Sequence, residues 1–203
     1  RDKVTGKAQY AGDIRAPGML YAKILRPPAH GAKLKSVDTT AAKALAGVRV
    51  VEEGDLVAVL HELPDVAEAA LEKVKAEFEV PEPKVDDKSI FDHLVKAAPG
   101  ARVVAEGGDL GEGRKQARTS FEQTYLNSYV AHAAMETHTA LAKVEGDKAT
   151  IWASTQNPFG AQREIAEAIG LPAENVRVIA PFVGGGFGGK THNRQAVEAA
   201  RLA

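Results

Sequence analysis

Between Val183 and Thr191 the chain reads Val-Gly-Gly-Gly-Phe-Gly-Gly-Lys-Thr, with glycine at five of the six positions from 184 to 189. Backbone without Cβ atoms can come very close to a bound group and can take positive φ at several points. Its amides are fixed dipoles of the kind that hold oxo and phosphate groups. The run from Gly184 to Thr191 also satisfies the phosphate-cradling pattern G-x-x-x-x-G-K-[ST], in which Lys190 and Thr191 would serve phosphate and Mg²⁺. Two features oppose that use. Pro181 interrupts the chain just before the loop, and a hairpin precedes it where a phosphate loop is normally fed by the first strand of an all-parallel domain.

A second polar string, Ser154-Thr155-Gln156-Asn157-Pro158, lies at a strand-to-helix junction. Asn157 with Pro158 is explained by helix capping. Gln156 has no such duty, and an amide between a strand end and a helix start is placed to reach a ligand at that edge. A third group, His132, Glu136 and His138, would share one side of a strand and so could suggest a metal site. The helical zinc spacing is missing, however, and hydrogen-bonded structural roles are the better reading. His30, His61, His93 and His192 are scattered singly, and His192 alone lies beside the glycine loop in sequence.

The elements that must position these residues are legible from periodicity and breakers. The first part predicts strands at Met19–Leu25 and Lys33–Val37, and a short helix Ala41–Leu45 capped by Asp38-Thr39-Thr40 and stopped by Gly47. Strands Val48–Val51 and Leu56–Leu60 follow, joined by the turn Glu53-Gly54-Asp55. Next comes a helix from Pro64 with an apolar stripe of Val66, Ala69, Ala70, Leu71 and Val74, then a return strand Ala76–Val80. Pro81–Lys88 reads as a linker. Ser89–Ala98 is a helix with Ile90, Phe91, Leu94 and Val95 facing inward, and Glu106-Gly107-Gly108-Asp109 breaks the chain.

Beyond the break, Ala140–Val144 and Thr150–Ser154 flank Glu145-Gly146-Asp147-Lys148 as a hairpin. A helix runs from Asn157-Pro158 to Ile169 and is stopped by Gly170 and Pro172. Strand Val176–Ile179 is aimed at the glycine cluster. The fold class is therefore α+β, with a domain boundary placed at 106/107.

The composition of the 203 residues, with a net charge of −1 and 44% apolar content, suits an ordinary globular core and gives no electrostatic case for nucleic acid. No apolar run approaches the roughly 20 residues needed to cross a bilayer. With no cysteine there can be no disulfide, thiolate metal site or usual iron–sulfur ligation, and any such cluster must sit elsewhere. The absence of cysteine fits either a cytoplasmic or a periplasmic setting. The chain opens on Arg1 and stops inside the helical pattern Gln195–Arg201, so it reads as a piece of a longer protein.

Ser154-Thr155-Gln156-Asn157-Pro158, then Ile169-Gly170-Leu171-Pro172-Ala173-Glu174-Asn175-Val176-Arg177-Val178, then the glycine loop closely resemble the molybdopterin-binding large subunit of the xanthine dehydrogenase and aldehyde oxidase family. The opening, Lys3-Val4-Thr5-Gly6-Lys7-Ala8-Gln9-Tyr10-Ala11-Gly12-Asp13-Ile14 followed by Pro17-Gly18-Met19-Leu20-Tyr21-Ala22, looks like the start of that family's α/β hammerhead domain. The resemblance thus implies a hammerhead domain over 1–106 and the beginning of a molybdopterin-binding domain over 107–203.

It further implies a molybdenum hydroxylase that places water-derived oxygen on an electron-poor carbon of an N-heterocycle or an aldehyde. The cofactor would be molybdenum–molybdopterin in its cytosine dinucleotide form. Electrons would leave through an iron–sulfur subunit, with a flavin (FAD) or cytochrome subunit as a further partner. Carried over by position, Gln156 would hydrogen-bond an oxygen on the metal. Phe187 and Gly188 would present backbone to the metal site, and Gly184, Gly185, Gly186 and Gly189 would allow close approach.

No residue of the chain would be a direct metal ligand. The family's base glutamate would lie beyond Ala203, which leaves no catalytic residue within 1–203 and implies that the segment alone is inactive. Thr191 stands where purine-active members carry a carboxylate, which weakens a purine assignment. The stretch from Gly47 to Val59 is also shorter than the family pattern. Two alternatives remain open on the sequence alone: a nucleotide-binding loop at Gly184–Thr191, and a non-catalytic assembly module.

Overall fold

A computed structural model describes residues 1–203 and gives an α+β fold. The chain divides into a unit of Arg1–Val80 with Ala131–Ala203 and a unit of Pro81–Val130.

In the first unit, strands β1 (Tyr21–Ile24), β3 (Arg49–Glu53) and β4 (Leu56–His61) form an antiparallel sheet in the order β1-β4-β3. β4 is buried along nearly its whole length, as expected for a central apolar strand. A separate pair, β2 (Lys33–Asp38) with β5 (Lys75–Glu79), is antiparallel with a bulge between Leu34 and Ser36. Helices α1 (Thr40–Lys43) and α2 (Pro64–Leu71) supply Ala42 and Ala70 to a core with Val59.

Two expectations shift here. The inner face of α2 is carried by Ala67 in place of Ala69, because Ala67, Ala70, Leu71 and Val74 follow the i, i+3, i+4, i+7 spacing of one helix face. At α1, Asp38 caps by accepting the Thr40 amide at 2.9 Å, while the Thr39 hydroxyl donates to Glu52 Oε1 at 2.7 Å.

The remainder of this unit is a β-hairpin extended by a crossover. Strands β6 (Ala140–Glu145) and β7 (Lys148–Ala153) pair antiparallel. Helix α5 (Pro158–Ile169) then returns the chain to β8 (Val176–Ile179), which lies parallel to β7. Asn157 caps α5 by accepting the Gly160 amide at 3.0 Å, and Gly170 ends it in the left-handed region at φ 69°. Ile151, Ile165, Val176 and Ala196 fill the core between this sheet, α5 and α6 (Arg194–Leu202). Trp152 is in register with Ile179, so β7 and β8 end level and release their following segments at the same sheet edge.

The second unit holds α3 (Ile90–Ala97) and α4 (Leu110–Gln116). α3 has no buried residue, and Val95 is 80% exposed, which corrects the inward-facing stripe expected of it. Eight residues with one apolar face meet no second apolar layer within this unit. α4 is an element the sequence does not announce, because Gly111 and Gly113 argue against a helix. It forms behind a cap in which Asp109 accepts the Glu112 amide at 3.0 Å.

Candidate functional site

The parallel pairing of β7 and β8 decides where the chemistry sits. Ser154–Asn157 leaves β7, and Ala180–Gly189 leaves β8, at the carboxyl ends of neighbouring parallel strands, the usual place for ligand sites in such sheets. Gln156 therefore meets the glycine loop directly: its Oε1 accepts the Gly188 amide at 3.1 Å. The Gln156 backbone amide donates to the Lys190 carbonyl at 2.9 Å, which ties the strand-to-helix junction to the end of the loop.

A buried polar network holds that junction. The Thr155 hydroxyl donates to Asn193 Oδ1 at 2.7 Å, and Asn193 Nδ2 donates to Glu164 Oε1 at 3.1 Å. Thr155 and Asn193 are both almost fully buried. Groups so enclosed need their partners, and here those partners fix the backbone on either side of Gln156.

The loop itself is shaped by close approach. A Cβ on Gly186 would lie 2.3 Å from Gln156 Oε1, and one on Gly184 would lie 2.6 Å from the Cβ of Glu136. Gly188 takes φ 100°, and Phe187 is held at φ 52° with its side chain 73% exposed. A bulky residue in the left-handed region carries strain, and such strain gathers at functional sites. Ala133, on the segment that packs against the loop, is the other non-glycine residue with positive φ, at 43°.

Gly184 donates to Glu136, Gly188 to Gln156, and Gly189 to the Gly186 carbonyl at 2.7 Å. The amides of Gly185, Gly186 and Phe187 make no hydrogen bond within the chain, and neither does Gln156 Nε2. Four neutral donors of the loop and of Gln156 are thus without partners in the chain, a set suited to oxo or phosphate oxygens. A cavity of about 430 Å³ lies beside Arg26 and Glu198, away from the glycine loop, and one of about 490 Å³ is lined by Lys7, Gln9 and the residues just before the loop, Ala180, Pro181 and Phe182. Within the loop Phe187 and Gly188 are exposed and Gly186 is buried.

His132, Glu136 and His138 do not form a metal group. The segment from 131 to 139 is irregular, so the shared strand face expected of them does not exist. Both histidines instead pack on the loop. The His132 ring lies where a Gly189 Cβ would touch it at 3.2 Å, and His138 Nε2 donates to the Gly189 carbonyl at 3.2 Å. His192, singled out for its proximity in sequence, is exposed and makes no hydrogen bond.

Lys190 is 1% exposed and bonds Glu136 Oε2 at 2.7 Å. A phosphate loop needs this ammonium free to reach its ligand, and here it is consumed by a buried carboxylate. Gly189–Thr191 makes only a single 3-10 turn around the lysine, and helix α6 starts at Arg194, after His192-Asn193, so no α-helix N-terminus follows the lysine directly. Sequence reasoning missed the partnership of Glu136 with Lys190. The alternation of polar types around 132–138 was the available signal, but it pointed to a strand.

A family model of the molybdopterin cofactor-binding domain matches residues 94–203, and one of the aldehyde oxidase and xanthine dehydrogenase a/b hammerhead domain matches residues 5–59. The chain is 31% identical to a probable xanthine dehydrogenase subunit of Bacillus subtilis, over 94% of this chain and 30% of that protein. It is 29% identical to the aldehyde oxidoreductase molybdenum-binding subunit of Escherichia coli, over 99% of this chain and 31% of that protein. The solved aldehyde oxidoreductase from Desulfovibrio gigas superposes with a TM-score of 0.74 at 22% identity, over 98% of this chain and 28% of that one, a likeness of fold. The chain spans about a third of the length of these relatives. No helix is long and apolar enough to cross a membrane.

Proposed function

Because the chain belongs to the aldehyde oxidase and xanthine dehydrogenase family, carrying its hammerhead and molybdopterin cofactor-binding domains, we propose that Gln156 and the loop Gly184–Gly189 hold one face of a molybdenum–molybdopterin cofactor. The observation that carries this reading is the donor set at the sheet edge. The amides of Gly185, Gly186 and Phe187 and the Gln156 side-chain NH₂ lack partners in the chain. A Cβ at 186 would fill the space that Gln156 occupies beside them.

The residues fit the group. Neutral N–H donors complement the oxygens of a molybdenum centre and of a pterin phosphate without adding charge. Gln156 would offer Nε2 as a donor toward the cofactor while its Oε1 stays on Gly188, which fixes which end of the amide is available. Phe187 and Gly188 would present backbone to the metal site, with Gly184, Gly185, Gly186 and Gly189 permitting the approach. Residues 1–106 would form the hammerhead domain and 107–203 the beginning of the cofactor domain.

The whole protein would be an oxidoreductase of the molybdenum hydroxylase class, acting on an N-heterocycle or an aldehyde. When bound, the centre supplies two-electron oxidation of an electron-poor carbon with oxygen drawn from water. The cofactor would take the cytosine dinucleotide form, and electrons would pass to an iron–sulfur subunit and onward to a flavin or cytochrome subunit. No residue of 1–203 is assigned the proton-transfer role, which the family resemblance places on a glutamate further along the chain. Residues 1–203 span about a third of the length of their relatives, and on this reading they would alone neither retain the cofactor nor turn over.

Turnover in heavy-oxygen water by the complete reading frame, co-expressed with its partner subunits, tests this function. Label in the hydroxylated product of an N-heterocycle or aldehyde is expected. Oxidation with oxygen taken from dioxygen, or hydrolysis of a nucleoside triphosphate, would overturn it.

A further inference from the structure

We infer that Glu136 and Lys190 are a positioning pair that sets the spacing between the glycine loop and Gln156, a role that rests on the cofactor reading above. One carboxylate oxygen, Glu136 Oε2, accepts both the Gly184 amide and the Lys190 ammonium, each at 2.7 Å. Glu136 also donates its own amide to the Gly184 carbonyl at 3.3 Å, so Gly184 is held from both sides by the same residue. At the other end, the Lys190 carbonyl accepts the Gln156 amide at 2.9 Å and lies 3.3 Å from the Thr155 hydroxyl. The first and last residues of the loop are therefore tied to one carboxylate, and the last is tied in turn to Gln156, two residues before α5. Between those two anchors lie the partnerless amides of Gly185, Gly186 and Phe187.

The energetics give the pair a reason to be specific. Glu136 Oε1 is buried with no hydrogen-bond partner, so the carboxylate depends on Gly184 and Lys190 alone. An ion pair of this kind is weak as a source of stability, because desolvation offsets its attraction, but it is geometrically demanding. Removing one partner leaves an uncompensated buried charge, whereas replacing both by neutral groups of similar shape is tolerated far better. The geometry of the loop, set by this clamp, is the property that replacement would not restore.

Three proteins, each made from the complete reading frame with its partner subunits, test the inference: Lys190→Met, the double variant Glu136→Gln/Lys190→Met, and Gln156→Ala. Molybdenum and pterin content, hydrogen exchange of the 184–190 peptide and thermal unfolding are read for each. For the double variant, a melting temperature near wild type is expected, together with roughly tenfold faster exchange across the loop and a matching loss of molybdenum and pterin. Lys190→Met should be the least stable of the three.

Wild-type exchange and cofactor content in the double variant would overturn the inference. So would its failure to fold, because a pair needed for folding at large is not a device of the loop. Gln156→Ala separates the two levels. If it lowers cofactor content and the double variant does not, the positioning role fails alone; if neither lowers it, the cofactor reading fails with it.

Discussion

Gln156 and Gly188, 32 residues apart in sequence, are joined by a 3.1 Å hydrogen bond in which the side-chain oxygen accepts the backbone amide. That bond leaves the Gln156 NH₂ as the free end of the side chain, beside three loop amides that also lack partners. It exists because β7 and β8 run parallel and end level, so that the junction after one strand and the loop after the other share a sheet edge.

Two glycines of the loop should respond differently to alanine. At Gly186 the new Cβ would meet the Gln156 side chain, whose exposed amide can swing aside. Gly186→Ala is therefore expected to change stability by less than about 1 kcal/mol while breaking the Gln156–Gly188 bond. At Gly184 the clash is with the Cβ of Glu136, which cannot rotate away, and a loss of roughly 1–3 kcal/mol is expected. Denaturant unfolding of the two variants beside wild type checks the contrast.

Phe187 should be a residue whose removal does not destabilise. Its φ of 52° is strained for a side-chain-bearing residue, and its ring is 73% exposed, so little buried area is at stake. Phe187→Gly is expected to hold or raise the unfolding free energy, by up to about 1 kcal/mol. A large loss in chemical denaturation would show that the ring contributes packing that the fold requires.

Acid should weaken the contact between the chain after β1 and helix α6. Glu198, 6% exposed, accepts Arg26 through both oxygens, Oε1 from Nη1 and Oε2 from Nη2 at 2.6 Å, and its Oε1 also accepts Arg194 Nε at 2.8 Å. Burial pushes its carboxyl up, but the hydrogen bonds and charges of the two arginines outweigh burial and hold it below the ordinary value of 4.5. A depressed folded-state value means that the contribution is complete above pH 4.5 and is lost as pH falls through the lower folded value. Glu198→Gln should cost roughly 1.5–3 kcal/mol at neutral pH, and the difference from wild type should shrink below that pH in unfolding curves.

Thr155→Val should loosen Gln156 without touching it. The substitution preserves shape but leaves the buried Asn193 Oδ1 without the donor that now lies at 2.7 Å. A loss of about 1–3 kcal/mol in stability is expected, with faster hydrogen exchange at the Gln156 amide as the specific readout.

The β7–α5–β8 crossover was legible because its signals are local. Asn157-Pro158 starts α5, Gly170 and Pro172 end it, and the turn at Gly146 sets the hairpin. Gln156 stood out because capping explained its neighbour and not itself. The clamp on the loop was not legible, since Glu136 and Lys190 are 54 residues apart and no local pattern links them. The apolar stripe of α3 misled for a related reason: amphipathicity predicts a face that seeks burial, but only a second layer can supply it, and its own unit has none. The run from Phe121 to Tyr129 is irregular, and its aromatics Phe121, Tyr125 and Tyr129 are exposed.

The central claim is that Gln156 and the glycine loop hold the molybdopterin cofactor, and metal and pterin content of the purified full-length protein tests it most directly. Gln156→Ala should lower both together by about tenfold or more with the fold intact by circular dichroism. Wild-type content of both in Gln156→Ala and in Gly186→Val alike would contradict it.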